Sequence, residues 1–341
     1  MRKRSDCREG KWKLLRHQYP LQSEGRQVSK LNQSLIRVHP AGRLANQMAQ
    51  FMLAREIQAS CGTDVVVRGY HMPEWGLDAG PDGAGPRSNL SIGSSLTRVS
   101  YLSAMIDRYR PVTLELDGVV QRIGNYGNID QYRNIFPLRQ GEGVPIGDDC
   151  ILIHIRAGDV SAPSHDSYGP IPISYYQYLV SATKLRPVFI GEISPSPYIE
   201  ALASKFPEAE FVGGASVFDD FQTMRRARHL AVSVSSFSWL AALLSNAETI
   251  HVPLAGLLDP RARPDVDLLP LGDPRYRFHN VSAGAWHNRY SDIFAHRSDF
   301  GPISAIETGR LKAAAARWTA WKSAKVHFGL MRRMIVHKYC G

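Results

Sequence analysis

A chain of 341 residues, 44% hydrophobic and 21% charged, can bury an ordinary core and, at roughly 150 residues per domain, has room for two domains. Its formal net charge of +10 sits at the ends: residues 1–30 hold nine Lys/Arg against three acids, residues 310–341 hold eight and no acid, and the stretch between is net negative. This excludes a duplex-binding domain, whose basic patch belongs on a folded face; there is also no run of about 18 apolar residues to span a membrane.

The N-terminus lacks the apolar segment of a secretory signal, and Cys7, Cys61, Cys150 and Cys340 show neither CxxC nor paired spacing. A soluble cytoplasmic protein is expected. For its basic tails two readings stand: peripheral contact with anionic lipid on the inner face of the membrane, or solvated segments outside the fold.

In chain order, residues 1–33 are polar and basic without periodicity and read as an N-terminal extension. Leu35-Ile36-Arg37-Val38 reads as a strand. It runs into AGRLANQMAQFMLAREI, residues 41–57, where Leu44, Met48, Phe51 and Met52 recur at helical spacing. This predicts an amphipathic helix from about Arg43. Strand, glycine turn and helix together offer backbone N–H groups to an anion, although Gly42 alone is no phosphate loop and GxGxxG is absent. Asn46 and Gln47, in the first turn, either reach over the loop to a ligand or cap the helix and face water. Residues 63–68 predict a second strand. Residues 71–95, rich in Gly, Pro and Ser and containing Trp75, predict a long loop of the kind that often carries function. A helix over 96–109, a strand over 111–120 and a short helix around 129–136 follow. The Gly, Pro and Asp density of RQGEGVPIGDD, 139–149, marks the domain boundary, giving units of 34–147 and 148–300.

The second unit alternates. ILIHIRAGD, 151–159, starts as a buried parallel strand and breaks at Ala157-Gly158, presenting His154, Arg156 and Asp159. Ligands of open α/β sheets bind at the carboxyl ends of strands. An arginine there suits a phosphate, because its planar fork donates two parallel hydrogen bonds; Gly158 allows close backbone approach. A loop with His165, Asp166 and Tyr168 comes next, then helix 174–184, strand 187–190, helix 196–206, strand 209–212, helix 217–228, strand 229–234, helix 237–245 and strand 249–252. Such alternation predicts a doubly wound parallel sheet. In VSVSSFSWLAALL, 232–244, an apolar strand ends at Ser235-Ser236 and a helix starts with Phe237. Serines there cap a helix, and they also ligate phosphate at the positive end of its dipole. Asp219 and Asp220, one helix earlier, either cap that helix or accept the paired N1–H and N2–H₂ donors of a guanine. Leu254 to Arg310 reads as irregular. Residues 301–341 predict a basic helix whose apolar residues Trp318, Trp321, Val326 and Phe328 meet a membrane interface, pack on the body, or cross to the other domain.

Four of these segments resemble, in order, elements of the α-1,2-fucosyltransferases of glycosyltransferase family 11. GRLANQM (42–48) is similar to GxLGNQM, HIRAGD (154–159) to HxRRGD, and DDFQTM (219–224) followed by SSFSWLAALL (235–244) to the DF-x-x-M and NSSFSWWAAWL elements. Ala45, Ala157, Val234 and Leu240 depart from those patterns. The resemblance spans roughly residues 35 to 255. It implies an α/β, GT-B-like fold, with two Rossmann-like domains facing across a cleft, 34–147 on the acceptor side and 148–300 binding the nucleotide sugar. It also implies a GDP-fucose donor, a glycan acceptor, inversion at the sugar C1, and neither metal nor cofactor. Arg156 would lie on the donor phosphates with Ser235, Ser236 and Phe237 beside them. His154 and Asp220 would serve the nucleotide, Gly158 would let the backbone turn beside the ligand, and Gly42, Asn46 and Gln47 would face the same cleft. Asp159 is the candidate base for the acceptor hydroxyl. Two alternatives remain: transfer from another nucleotide sugar, and a non-catalytic nucleotide-sugar-binding protein.

Overall fold

The computed structural model describes residues 33–80, 89–139, 141–157, 169–281 and 300–340. Gly158, Asp159, the 165–168 loop and the basic N-terminal extension up to residue 32 lie outside them.

The first half is built on a four-stranded parallel sheet. β1, Ser34–Val38, is followed by helix α1, Leu44–Cys61, which returns the chain to β2, Val65–Arg68, at its side. Parallel neighbours need such a crossover. A small hairpin, β3 His71–Met72 with β4 Leu77–Asp78, precedes β5, Asn89–Ile92. Helix α2, Val99–Tyr109, then leads to β6, Thr113–Leu116. The order is β2-β1-β6-β5. Residues 71–95 are thus not one loop. Trp75, at the tip of the hairpin, is buried edge-on against Phe136 at 4.9 Å and Phe218 at 5.1 Å, so it serves packing between the halves.

Helix α3, Ile129–Ile135, whose Asn128 cap accepts the Asp130 N–H, leads into the second half. There the elements are β7 Cys150–Ile155, α4 Ile173–Thr183, β8 Arg186–Gly191, α5 Pro197–Lys205, β9 Glu210–Val212, α6 Val217–Arg226, β10 His229–Ala231, α7 Ser236–Leu244 and β11 Thr249–Leu254. β12, Tyr276–Asn280, extends the parallel sheet inside the stretch expected to be irregular. β13, Gly301–Ile303, closes that edge antiparallel, and α8, Ala305–Cys340, ends the described chain.

The sheet order is β13-β12-β11-β10-β7-β8-β9. All six residues of β7 are buried, as a central parallel strand requires. From β7 the chain winds outward through β8 to β9, then returns to β10 on the other side of β7 and winds the other way. Loops after β7 and β10 therefore diverge, and they leave a crevice at their carboxyl ends.

The expected α/β, GT-B-like arrangement of two Rossmann-like halves across a cleft is what the structure shows. The halves share a core, however. Met48, Phe51 and Met52 of α1 pack with residues of β7, β10 and α7, while Leu53, Ala54 and Ile57 of the same helix pack on the first sheet. α1 is buried on two flanks instead of one, because α7 covers the flank that would otherwise meet water. Helix α8 crosses from one half to the other. Near its start Lys312 reaches Asp267 at 2.6 Å; farther on Leu330 and Met334 enter the core of the first half, and Tyr101 donates to the His327 carbonyl at 2.6 Å.

Candidate functional site

A cavity of about 430 Å³ opens between the halves at the point where the second sheet reverses its winding. From the second half come His154 near the end of β7 and Arg156 just after it, Gly191 at the end of β8 and Glu192 after it, Val217 and Asp220 of α6, and Ser235, Ser236 and Phe237 at the start of α7. Gly42, Arg43, Ala45 and Asn46 face them from the first half.

The cradle at the start of α7 is tightly tied. Ser235 is the N-cap and its hydroxyl accepts the Phe237 N–H at 3.2 Å. Ser238, fully buried, accepts the Ser233 N–H at 3.2 Å, which fixes the turn from β10 into the helix. Arg156 Nη1 donates to the Val234 carbonyl at 3.0 Å. The guanidinium is thereby held beside the helix start, and the two elements that the sequence suggests as partners line the same cavity.

His154 lies deeper. Its Nδ1 is 2.7 Å from Ser233 Oγ, and burial together with the neighbouring Arg156 cation pushes its pKa down to about 3. It is a neutral imidazole at neutral pH, able to exchange a hydrogen bond but not to offer charge to a phosphate. Gly191 is required beside it. Its φ is +109°, and a Cβ there would come within 2.5 Å of the Ile155 carbonyl and 2.9 Å of His154 Nε2.

Asp220 is not the helix cap; Ser216 is, accepting the Asp219 N–H at 3.1 Å. Asp220 instead faces the cavity while one oxygen accepts the Gly214 N–H at 2.7 Å. Burial raises its pKa above the ordinary value.

Two contacts join the walls. Ser236 donates to Asn46 Oδ1 at 2.8 Å, and Arg43 Nη1 lies 3.6 Å from Glu192 Oε1. The other Glu192 oxygen accepts the Ala157 N–H at 2.9 Å, so this carboxylate steadies the turn that follows β7. On the first wall Gly42 has φ +71°, and a Cβ there would meet the Asn46 amide at 2.3 Å. Glycine lets Asn46 fold back over the loop. Gln47 turns away from the cavity: its amide donates to the Gly42 carbonyl at 3.1 Å on the exposed side and it is not among the residues lining the cavity. The residue that organises this wall is Gln50, fully buried, whose sequence context marks it as no more than one helix position. Its oxygen accepts the Ala41 N–H at 3.0 Å and its nitrogen donates to the His39 carbonyl at 2.9 Å.

Gly191 and Glu192 were also legible in principle, since they end the strand next to β7 and so fall at the same edge of the sheet. Asp265-Val266-Asp267 has the Asp-x-Asp spacing that suits a divalent ion, but these carboxylates are engaged elsewhere. Asp265 pairs with Arg263 at 2.7 Å, and Asp267 with Lys312 at 2.6 Å and Arg122 at 3.6 Å.

Three arginines seal the far end of α7. Arg133 donates to the Leu243 and Ser245 carbonyls at 3.3 and 3.2 Å, Arg225 to Leu244 at 3.4 Å, and Arg275 to Ser245 at 2.7 Å. Cations at a helix C-terminus satisfy its open carbonyls and offset the negative end of its dipole. Burial lowers the Arg225 pKa to about 10, still far above neutrality.

Among solved structures, the chain is similar to the iron-containing dodecameric glycosyltransferase TibC of enterotoxigenic E. coli H10407. The identity is 13%, over 85% of this chain and 78% of that one, with a TM-score of 0.40. It is similar also to the E. coli heptosyltransferase WaaC in its structure with ADP, at 12% identity over 64% of this chain and 86% of that one, with a TM-score of 0.30. No family model matches the chain, and no curated protein matches it in sequence.

Proposed function

We propose that the cavity takes a nucleotide sugar and that the protein is an inverting, metal-independent fucosyltransferase, moving fucose from GDP-fucose to a saccharide hydroxyl in α-1,2 linkage. The observation that carries this reading is the convergence of Arg156 and the serine-capped start of α7 on one cavity at the reversal point of the sheet. The resemblance of the GRLANQM, HIRAGD and SSFSW segments supplies the donor and the linkage.

In this reading the diphosphate lies against the first turn of α7, where free N–H groups and the Ser235 and Ser236 hydroxyls meet it. The Ser236 hydroxyl leaves Asn46 to do so. As the acceptor oxygen forms its bond to C1, the bond from C1 to the β-phosphate oxygen breaks on the opposite face, and its electron pair leaves with GDP. The diphosphate gains charge as the ring becomes cationic. Arg156, fixed before the reaction, stabilises that charge, as preorganised electrostatic catalysis requires. Asp220 accepts from the guanine edge, and Asp159 takes the acceptor proton. His154, neutral, holds Ser233 and backs the nucleotide.

Thermal shift with a panel of nucleotide sugars tests the donor. GDP and GDP-fucose are expected to raise the melting temperature with concentration, by mass action. If both leave it unmoved, the reading fails, and a shift with another nucleotide alone reassigns the donor. Binding without transfer across a broad acceptor panel would make the protein a silent binder. A chelator is expected to leave transfer unchanged; strict dependence on a divalent ion would overturn the metal-free part.

A further inference from the structure

Helix α8 has two unlike faces. One is committed to the body: Ala315, Thr319, Leu330 and Met334 are all buried. The opposite face is apolar and open. Trp318, Trp321 and Phe328 are 63%, 63% and 61% exposed, and Ile335 and Val336 accompany them. Among the described residues, six of the seven large hydrophobic side chains exposed to this degree belong to α8, with Val217 the exception. Scattered surface apolar residues need no explanation, but a row of them along one helix does.

The row is interleaved with cations. At 3.6 residues per turn Trp321, Lys325, Phe328, Arg332 and Ile335 lie along one strip of the helix, directly opposite the buried row. Lys322 Nζ sits 4.0 Å from the Trp318 ring centre, and Lys325 Nζ 3.8 Å from that of Trp321. From residue 308 to 340 the helix carries no Asp or Glu. Glu307, the last acid, is bound to its own N-terminal turn, accepting from Ser304 Oγ at 2.8 Å.

We propose that this outer face of α8 lies flat on a bilayer containing anionic lipid. Its chemistry fits that surface. Indole rings favour the headgroup level, with an apolar body and one polar edge, and lysine and arginine stems run beside them to phosphates. A helix with one face packed on the protein and the other apolar and basic rests in the interface plane. No helix among the described residues is long and apolar enough to cross a membrane, so the contact is along the helix and not through it. A second copy of the chain fits less well, since two such faces would bring like charges together without a carboxylate to separate them.

Flotation of the full chain with vesicles tests this, using phosphatidylcholine alone and phosphatidylcholine mixed with phosphatidylglycerol. The chain is expected to float only with the anionic vesicles and to be released by high salt. The double variant Trp318→Ala/Trp321→Ala and the charge-reversed Lys325→Glu/Arg332→Glu are each expected to weaken binding by about tenfold or more. The side chains are exposed, so both variants are expected to melt like the wild type. Wild-type binding by both variants would place any lipid affinity elsewhere and overturn the proposal. So would failure of the wild type to float, or equal binding to both vesicles. A wild-type dimer that becomes monomeric in the tryptophan variant would give the face to a second copy instead.

Discussion

The two strand–turn–helix units that meet in the cavity, β1 into α1 and β10 into α7, share a shape and differ in what lies under it. The first turn rests on an uncharged, buried amide, Gln50, and presents Gly42 and Asn46. The second is capped by a serine hydroxyl, has Arg156 tied to its Val234 carbonyl, and keeps an imidazole beneath it. One unit is a wall and the other, in the proposed reading, a cradle for negative charge. The lesson is that a strand–glycine–helix outline says little about ligand chemistry until the groups behind the turn are known.

The largest expected effect removes the cradle's charge. Arg156→Ala should cut transfer by about 100-fold or more, the scale of losing one preorganised charge stabiliser, while thermal melting stays close to the wild type. Near-normal turnover would erase the distinction between the two turns. On the other side, Gln50→Leu takes a partner from the Ala41 N–H and the His39 carbonyl at once. Denaturant unfolding should show a loss of about 2–3 kcal/mol. Nucleotide affinity measured below the transition should change little, because the cradle is untouched.

Acid should separate the units next. An unfolded histidine takes a proton near pH 6.5, whereas folded His154 resists until about pH 3. Its contribution is therefore complete above about pH 6.5 and is lost as pH falls below it, by about 2 kcal/mol at pH 5. His251 and His279, also buried and lowered, act in the same direction. His154→Asn should flatten the slope of stability against pH by close to one proton, and an unchanged slope would contradict the buried neutral imidazole. The smallest effect is expected from Ser235→Ala, at about 1 kcal/mol for a lost helix cap, read by thermal unfolding.

Much of the fold was legible because its signals are local. The apolar run 151–155 and the alternation that follows announce a parallel sheet, and Ser235-Ser236 announces a helix start. β5 and β12 escaped notice for a physical reason: NLSI and YRFHN are short and half polar, and become strands only because β6 and β11 supply a neighbour to pair with. The residues that line the cavity from β7 and α7 were visible in HIRAGD and SSFSW, as polar side chains at a strand end and a helix start. Gln50 was not, since a lone amide has no pattern, and Glu192 could be placed at the sheet edge but not given a partner; the roles of both come from backbone groups that only the fold brings near. Gln47 illustrates the converse. Its place beside Asn46 made it look like a ligand, yet one step around the helix turns it toward its own loop.

Leu330 and Met334 lie in the core that β1, β2 and α2 also build. These two side chains leave the ribosome more than two hundred residues after the strands they cover. Throughout most of translation, then, the opening part of the chain must wait with an oily gap in its side. It is complete only when the last long helix arrives to plug it, so nascent chains stalled before that point are the form most exposed to aggregation.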